Sequence, residues 1–67
     1  MLKYDGQRMV RFTGFAKGNN SELTEYYKLD IGDVYRVEIC LPSINSLMII
    51  NKENQVVLVT FNEVELP

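Results

Sequence analysis

The stretch SLMIINKENQVVLVTF, Ser46 to Phe61, constrains this chain more than any other. Two apolar arms flank a polar centre, Lys52-Glu53-Asn54, which suits the three-residue connection of a β-hairpin. Asn54 takes its left-handed position, because asparagine tolerates that conformation better than other non-glycine residues. The pairing then sets Ile50 opposite Val56, Met48 opposite Leu58 and Asn51 opposite Gln55. A half-buried strand alternates apolar and polar residues, but these arms are apolar on both faces. Met48, Ile50, Val56 and Leu58 share one face; Leu47, Ile49, Val57 and Val59 share the other. One face must enter the core, and the other needs a cover.

Two further strands read by alternation. In Arg8-Met9-Val10-Arg11-Phe12-Thr13, Val10 and Phe12 face one way and Arg11 and Thr13 the other, with Gly14 and Gly18 bracketing the end. In Val34 to Ile39, Tyr35, Val37 and Ile39 are expected inside and Arg36 and Glu38 outside. Asp30 and Gly32 form the turn before that strand, and Pro42-Ser43 breaks it. Between the two strands, Lys17-Gly18-Asn19-Asn20-Ser21-Glu22 is loop on composition. Ser21 could cap a single turn, but the segment is too short to predict a true helix. Val64-Glu65-Leu66 adds a short closing strand. The expectation is an all-β, single domain over 1–67, with five strands near 8–15, 33–40, 46–51, 55–60 and 64–66. Such strands around a long second-position loop predict a small closed barrel. Leu23, Tyr26 and Tyr27 in the 16–30 loop are the candidate covers for its outer surface.

The order strand, long loop, Leu29-x-x-Gly32-Asp33-x-Tyr35-x-Val37, hairpin, short turn, final strand resembles an SH3-like barrel. The whole chain is similar to the very small SH3-like proteins of bacteriophages and prophages of Gram-positive bacteria, which run L-x-x-G-x-x-Y-x-V and then x-L-I-I-N. The resemblance covers nearly the full length, and its motifs speak to architecture rather than activity. It implies a five-stranded SH3-like barrel with a long loop between strands 1 and 2. It also implies that the isoleucine before the hairpin asparagine, Ile50, faces inward, along with Met48, Val56 and Leu58. Leu47, Ile49, Val57 and Val59 would then point outward, either under the 16–30 loop or as a contact surface for a homodimer or a target. The chain lacks the tryptophan of the eukaryotic proline-rich-peptide groove. Tyr26, Tyr27 and Tyr35 with Glu22 and Glu25 could imitate such a groove, or pack as loop tyrosines.

Chemistry is sparse. The 67 residues contain no histidine, which removes the usual general base and the commonest metal ligand. Cys40 is the only cysteine, expected as a small apolar filler at a strand end, so no internal disulfide forms and a reducing, cytoplasmic setting is expected. Glu22, Glu25, Asp30 and Asp33 match no calcium loop and read as turn and surface residues. Gly14-x-x-x-Gly18 lacks the lysine and helix start of a phosphate cradle. No catalytic residue, metal or cofactor is expected, and no small-molecule substrate.

No apolar run approaches the length of a membrane span. The net charge of −2 disfavours phosphate-driven nucleic-acid binding. These exclusions leave a non-enzymatic protein-interaction module, and the resemblance implies a small phage or prophage accessory protein that binds a host or phage protein. Its candidate contacts are Leu47, Ile49, Val57, Val59, Tyr26 and Tyr27. The alternative is a nucleic-acid-binding β-barrel using Lys3, Arg8, Arg11 and Lys17, with Tyr4 or Phe15 as a stacking platform.

Overall fold

The structure is a computed structural model and describes residues 6–67. Five antiparallel strands form one sheet: β1 (Met9–Phe12), β2 (Val34–Leu41), β3 (Ser46–Ile50), β4 (Val56–Thr60) and β5 (Val64–Glu65). Their order in space is β4-β3-β2-β1-β5, so β4 and β5 are the two edges. The strands fall close to the expected positions, but the sheet does not close into a barrel. Strand β1 ends at Phe12, ahead of Gly14, whose φ of 117° lies where L side chains are rare.

The loop between β1 and β2 contains a helix that composition did not predict, α1 (Asn20–Tyr27). Its cap is Asn19, not Ser21. The Asn19 side-chain oxygen accepts from the N–H of Ser21 at 2.9 Å and of Glu22 at 3.4 Å. Asn20 then ties the first turn to the preceding chain. Its side-chain oxygen accepts from Phe15 N–H at 2.7 Å, and its amide donates to Phe15 C=O at 3.1 Å. Lys28, at φ 58°, ends the helix in the left-handed conformation. Eight residues are too few to hold a helix by propensity alone; here the Asn19 and Asn20 side chains and the packing of Tyr27 on Phe15 do so.

The hairpin forms in the expected register, with Ile50 opposite Val56 and Met48 opposite Leu58, and Asn54 has φ 63°. Its faces are the reverse of the expectation. Leu47 and Ile49 are fully buried, Val59 is 1% exposed and Val57 6%, whereas Val56 and Leu58 are 52% and 51% exposed. Met48 and Ile50 are half-buried. The inner face is therefore Leu47, Ile49, Val57 and Val59, and the loop between β1 and β2 covers it. Leu29 from that loop is wholly buried in the same cluster, with Val10, Phe12, Tyr35 and Val64, and Phe15 packs against it.

Strand β2 departs from simple alternation in the middle. Val37 pairs with Ile49, but Ile39 pairs with Met48 and Cys40 with Leu47, so the register shifts by one residue between Val37 and Ile39. Two residues of one strand opposite one of its partner is a β-bulge, and it exchanges the faces beyond it. Tyr35 and Val37 face the core as expected. Ile39 turns outward, 48% exposed, and Cys40 takes its place against the core.

Two buried polar side chains pin the ends of the structure. Asn51 donates from its amide to Tyr27 C=O at 2.8 Å and to Gln55 Oε1 at 3.1 Å, and its oxygen accepts from the N–H groups of Glu53 and Gln55 at 2.9 and 2.8 Å. The hairpin tip is thus bolted to the end of α1. Glu63, in the 3₁₀ turn Phe61–Glu63, accepts from Thr60 N–H at 2.7 Å and from Ala16 N–H at 2.9 Å. It joins the start of the last turn to the loop after β1.

Candidate functional site

The outer face of the sheet carries an apolar patch that no part of the described chain covers. The register lays it out in two rows. Leu58, Met48 and Ile39 run across β4, β3 and β2; Val56, Ile50, Arg36 and Met9 run across β4, β3, β2 and β1. Five aliphatic side chains, Ile39, Met48, Ile50, Val56 and Leu58, lie together and grade into charge at Arg36. Farther along, Arg11 pairs with Glu65 at 3.4 Å, so the β1–β5 end of this face is polar. The surplus of apolar residues in the hairpin, expected on the face of Leu47, Ile49, Val57 and Val59, lies on the opposite face. Leu47, Ile49, Val57 and Val59 are core residues, not an exposed surface. Ile39 went unnoticed because simple alternation placed it inside.

Tyr26 and Tyr27 sit at the end of an aromatic series that starts in the core. Phe12 meets Phe15 edge-on at 4.9 Å, Phe15 meets Tyr27 at 5.3 Å, and Tyr27 meets Tyr26 edge-on at 4.8 Å. Tyr27 is anchored by this stacking, while Tyr26 is 75% exposed. The two tyrosines form one wall of a groove of about 440 Å³, whose other walls are Asn51, Glu53, Gln55, Val56 and Val57. Its strand residues, Val56 and Val57, both come from the start of β4, so the groove lies beside that end of the edge strand. Tyr35 is not part of it: Tyr35 is buried, and its hydroxyl oxygen accepts from Asp30 N–H at 2.6 Å. The grouping of Tyr26, Tyr27 and Tyr35 in one groove is thereby corrected. A second groove, about 430 Å³, lies between Lys17, Ile44, Asn45 and Phe61.

The basic residues are scattered. Arg8 and Lys17 are exposed, and Arg11 is half-buried beside Glu65. Lys3 and Tyr4 lie outside the described residues. Lys52 bridges two aspartates, forming an ion pair with Asp30 and lying 3.2 Å from Asp33. Hydrogen bonding to Asp30, and then to Asp33, raises the Lys52 pKa above its ordinary value. Asp30 and Asp33 thus anchor the hairpin tip to the turn before β2. Glu22 and Glu25 are exposed on α1. Among the described residues no group of three His, Cys, Asp or Glu side chains is placed to hold a metal, and no helix is long and apolar enough to cross a membrane.

No known family model matches the chain, and neither a curated protein nor a solved structure is similar enough to match it.

Proposed function

We propose that this protein is a non-enzymatic protein-interaction module whose docking surface is the outer face of its hairpin. The observation that carries the reading is the joint exposure of Val56, Leu58 and Ile39, each about half exposed, with Met48 and Ile50 between them. Contiguous exposed apolar patches rimmed by polar residues mark interaction sites on soluble proteins, whereas scattered single apolar residues do not. A 67-residue chain has little core to spare, which makes so much aliphatic surface left outside a feature in need of a partner. The absence of histidine from the sequence supports a binding role over catalysis.

An SH3-like barrel of the small phage and prophage kind is the finer architectural reading. The order β4-β3-β2-β1-β5, the long loop between β1 and β2, and the 3₁₀ turn before β5 support it. A phage or host protein met in a reducing cytoplasm is the corresponding partner. Nucleic acid is the weaker partner class, because Arg11 is engaged by Glu65, Lys52 by two aspartates, and the net charge is negative.

The test is capture from host lysate with the wild-type protein and with Leu58→Lys and Ile39→Lys variants. Both substitutions lie on exposed positions, so circular dichroism should be unchanged while a specific partner is lost. A partner retained by both variants would overturn the assignment of this face. A mobility shift with duplex or single-stranded nucleic acid that weakens with salt would favour the alternative.

A further inference from the structure

We infer that the open edge of β4 is a strand-addition site for an extended peptide segment of a partner protein. The segment carries aliphatic residues at alternate positions and lysine or arginine between them. This deepens the protein-interaction reading and rests on it.

The two edges of the sheet differ sharply. Strand β5 has two residues, contains Glu65 and is followed by Leu66-Pro67. Charge, proline and shortness are the usual protections of an edge against unwanted pairing. Strand β4 has none of them. Its five residues, VVLVT, are uncharged and proline-free, and its register with β3 runs without a shift.

Main-chain groups on this edge are aimed outward. Asn51 N–H donates to Gln55 C=O at the hairpin tip. Antiparallel pairs alternate, so Val57 and Val59 exchange hydrogen bonds with β3 while Val56 and Leu58 direct their N–H and C=O groups away from it. Thr60 N–H is already taken by Glu63. The edge therefore offers two donors and two acceptors, centred on Val57.

Side chains flank those groups on both sides. An incoming strand places the residues opposite Val56 and Leu58 on the outer face, beside two half-exposed aliphatic side chains. Its intervening residues enter the groove between the two tyrosines and Val57. Among the described residues Glu53 is the one charged residue lining that groove, and none of them forms an ion pair with its carboxylate. A lysine or arginine there lays its aliphatic stem along the tyrosines and brings its charge to Glu53. A second copy of this chain matches less well. Its own edge strand would bring valine where the groove calls for a cation, and edge-to-edge pairing would set Glu53 and Tyr26 of both copies on the same side of the joined sheet.

The test is an amide-resolved NMR titration with a short, capped peptide of alternating valine and lysine. A valine–glutamate counterpart and a version N-methylated at alternate amides serve as the comparison probes. The expected result is that the Val56 and Leu58 amides respond together with Glu53 and Tyr27, and that N-methylation or glutamate weakens binding about tenfold or more. Leu58→Pro removes one outward N–H at an edge position and should abolish binding with the spectrum otherwise folded. If that variant unfolds, the N-methylated peptide provides the same comparison on the native protein. Silent Val56 and Leu58 amides, or equal binding of the N-methylated peptide, would overturn the inference. A response confined to Ile39, Met48 and Ile50 would also overturn it, while leaving the outer-face reading standing. Sedimentation showing a dimer that Leu58→Pro dissociates would assign the edge to a second copy and overturn it as well.

Discussion

Leu47→Ala and Leu58→Ala make the same chemical change on neighbouring strands, on opposite faces of one sheet. Leu47 has no exposed surface and lies between Cys40 and Val59 in the register, in the cluster that contains Phe12 and Leu29. Truncation removes three buried carbons, worth about 0.8 kcal/mol each. The surrounding strands and Leu29 hold the walls of the resulting cavity apart, and the expected total is about 3–4 kcal/mol, within the usual range for buried leucine. Leu58 is 51% exposed and leaves no closed cavity, so its truncation should cost about 1 kcal/mol or less. A domain of this size has about 3–10 kcal/mol in total. The first change should therefore bring the protein close to unfolding, and the second should leave it folded with a modest loss. Urea titration followed by far-ultraviolet circular dichroism checks both. With a slope of about 1 kcal/mol/M, the midpoints should fall by about 3 M and about 1 M respectively. Equal losses, or a larger loss for Leu58, would refute the assignment of faces and with it the outer patch.

Three further outcomes follow from the same contacts. Glu63→Gln keeps the shape of the side chain but turns an amide donor toward Thr60 N–H or Ala16 N–H, and should cost about 1–3 kcal/mol in chemical denaturation. Lys28→Gly relieves a side chain held at φ 58° and should stabilise by about 0.5–1 kcal/mol, read as a higher melting temperature. The Lys52 pKa is raised in the folded protein by Asp30 first and Asp33 second. Its stabilising contribution is complete below the ordinary value of 10.5 and is lost as pH rises through the higher folded-state value. Lys52→Met should accordingly flatten the stability profile above that pH, most visibly at low salt.

The strands themselves were legible in the order of residues. Alternation in β1, the Asp30–Gly32 turn, the proline after β2 and the Lys52-Glu53-Asn54 connection each act locally. The pairing of Ile50 with Val56 follows from that connection alone. Helix α1 was not legible by composition, because its support comes from the Asn19 and Asn20 side chains and from Tyr27 packing on Phe15. Which face of the hairpin is the core could not be read locally either. Period-two alternation specifies that Leu47 and Met48 point opposite ways, but with both aliphatic it carries no sign. The sign is set where Leu29 and Phe15 dock, more than ten residues away in sequence, and by the bulge that turns Ile39 out and Cys40 in. The order of residues determined that this hairpin has one apolar face too many. Only the tertiary structure decided which, because long-range packing chooses between two faces that local chemistry leaves nearly equal.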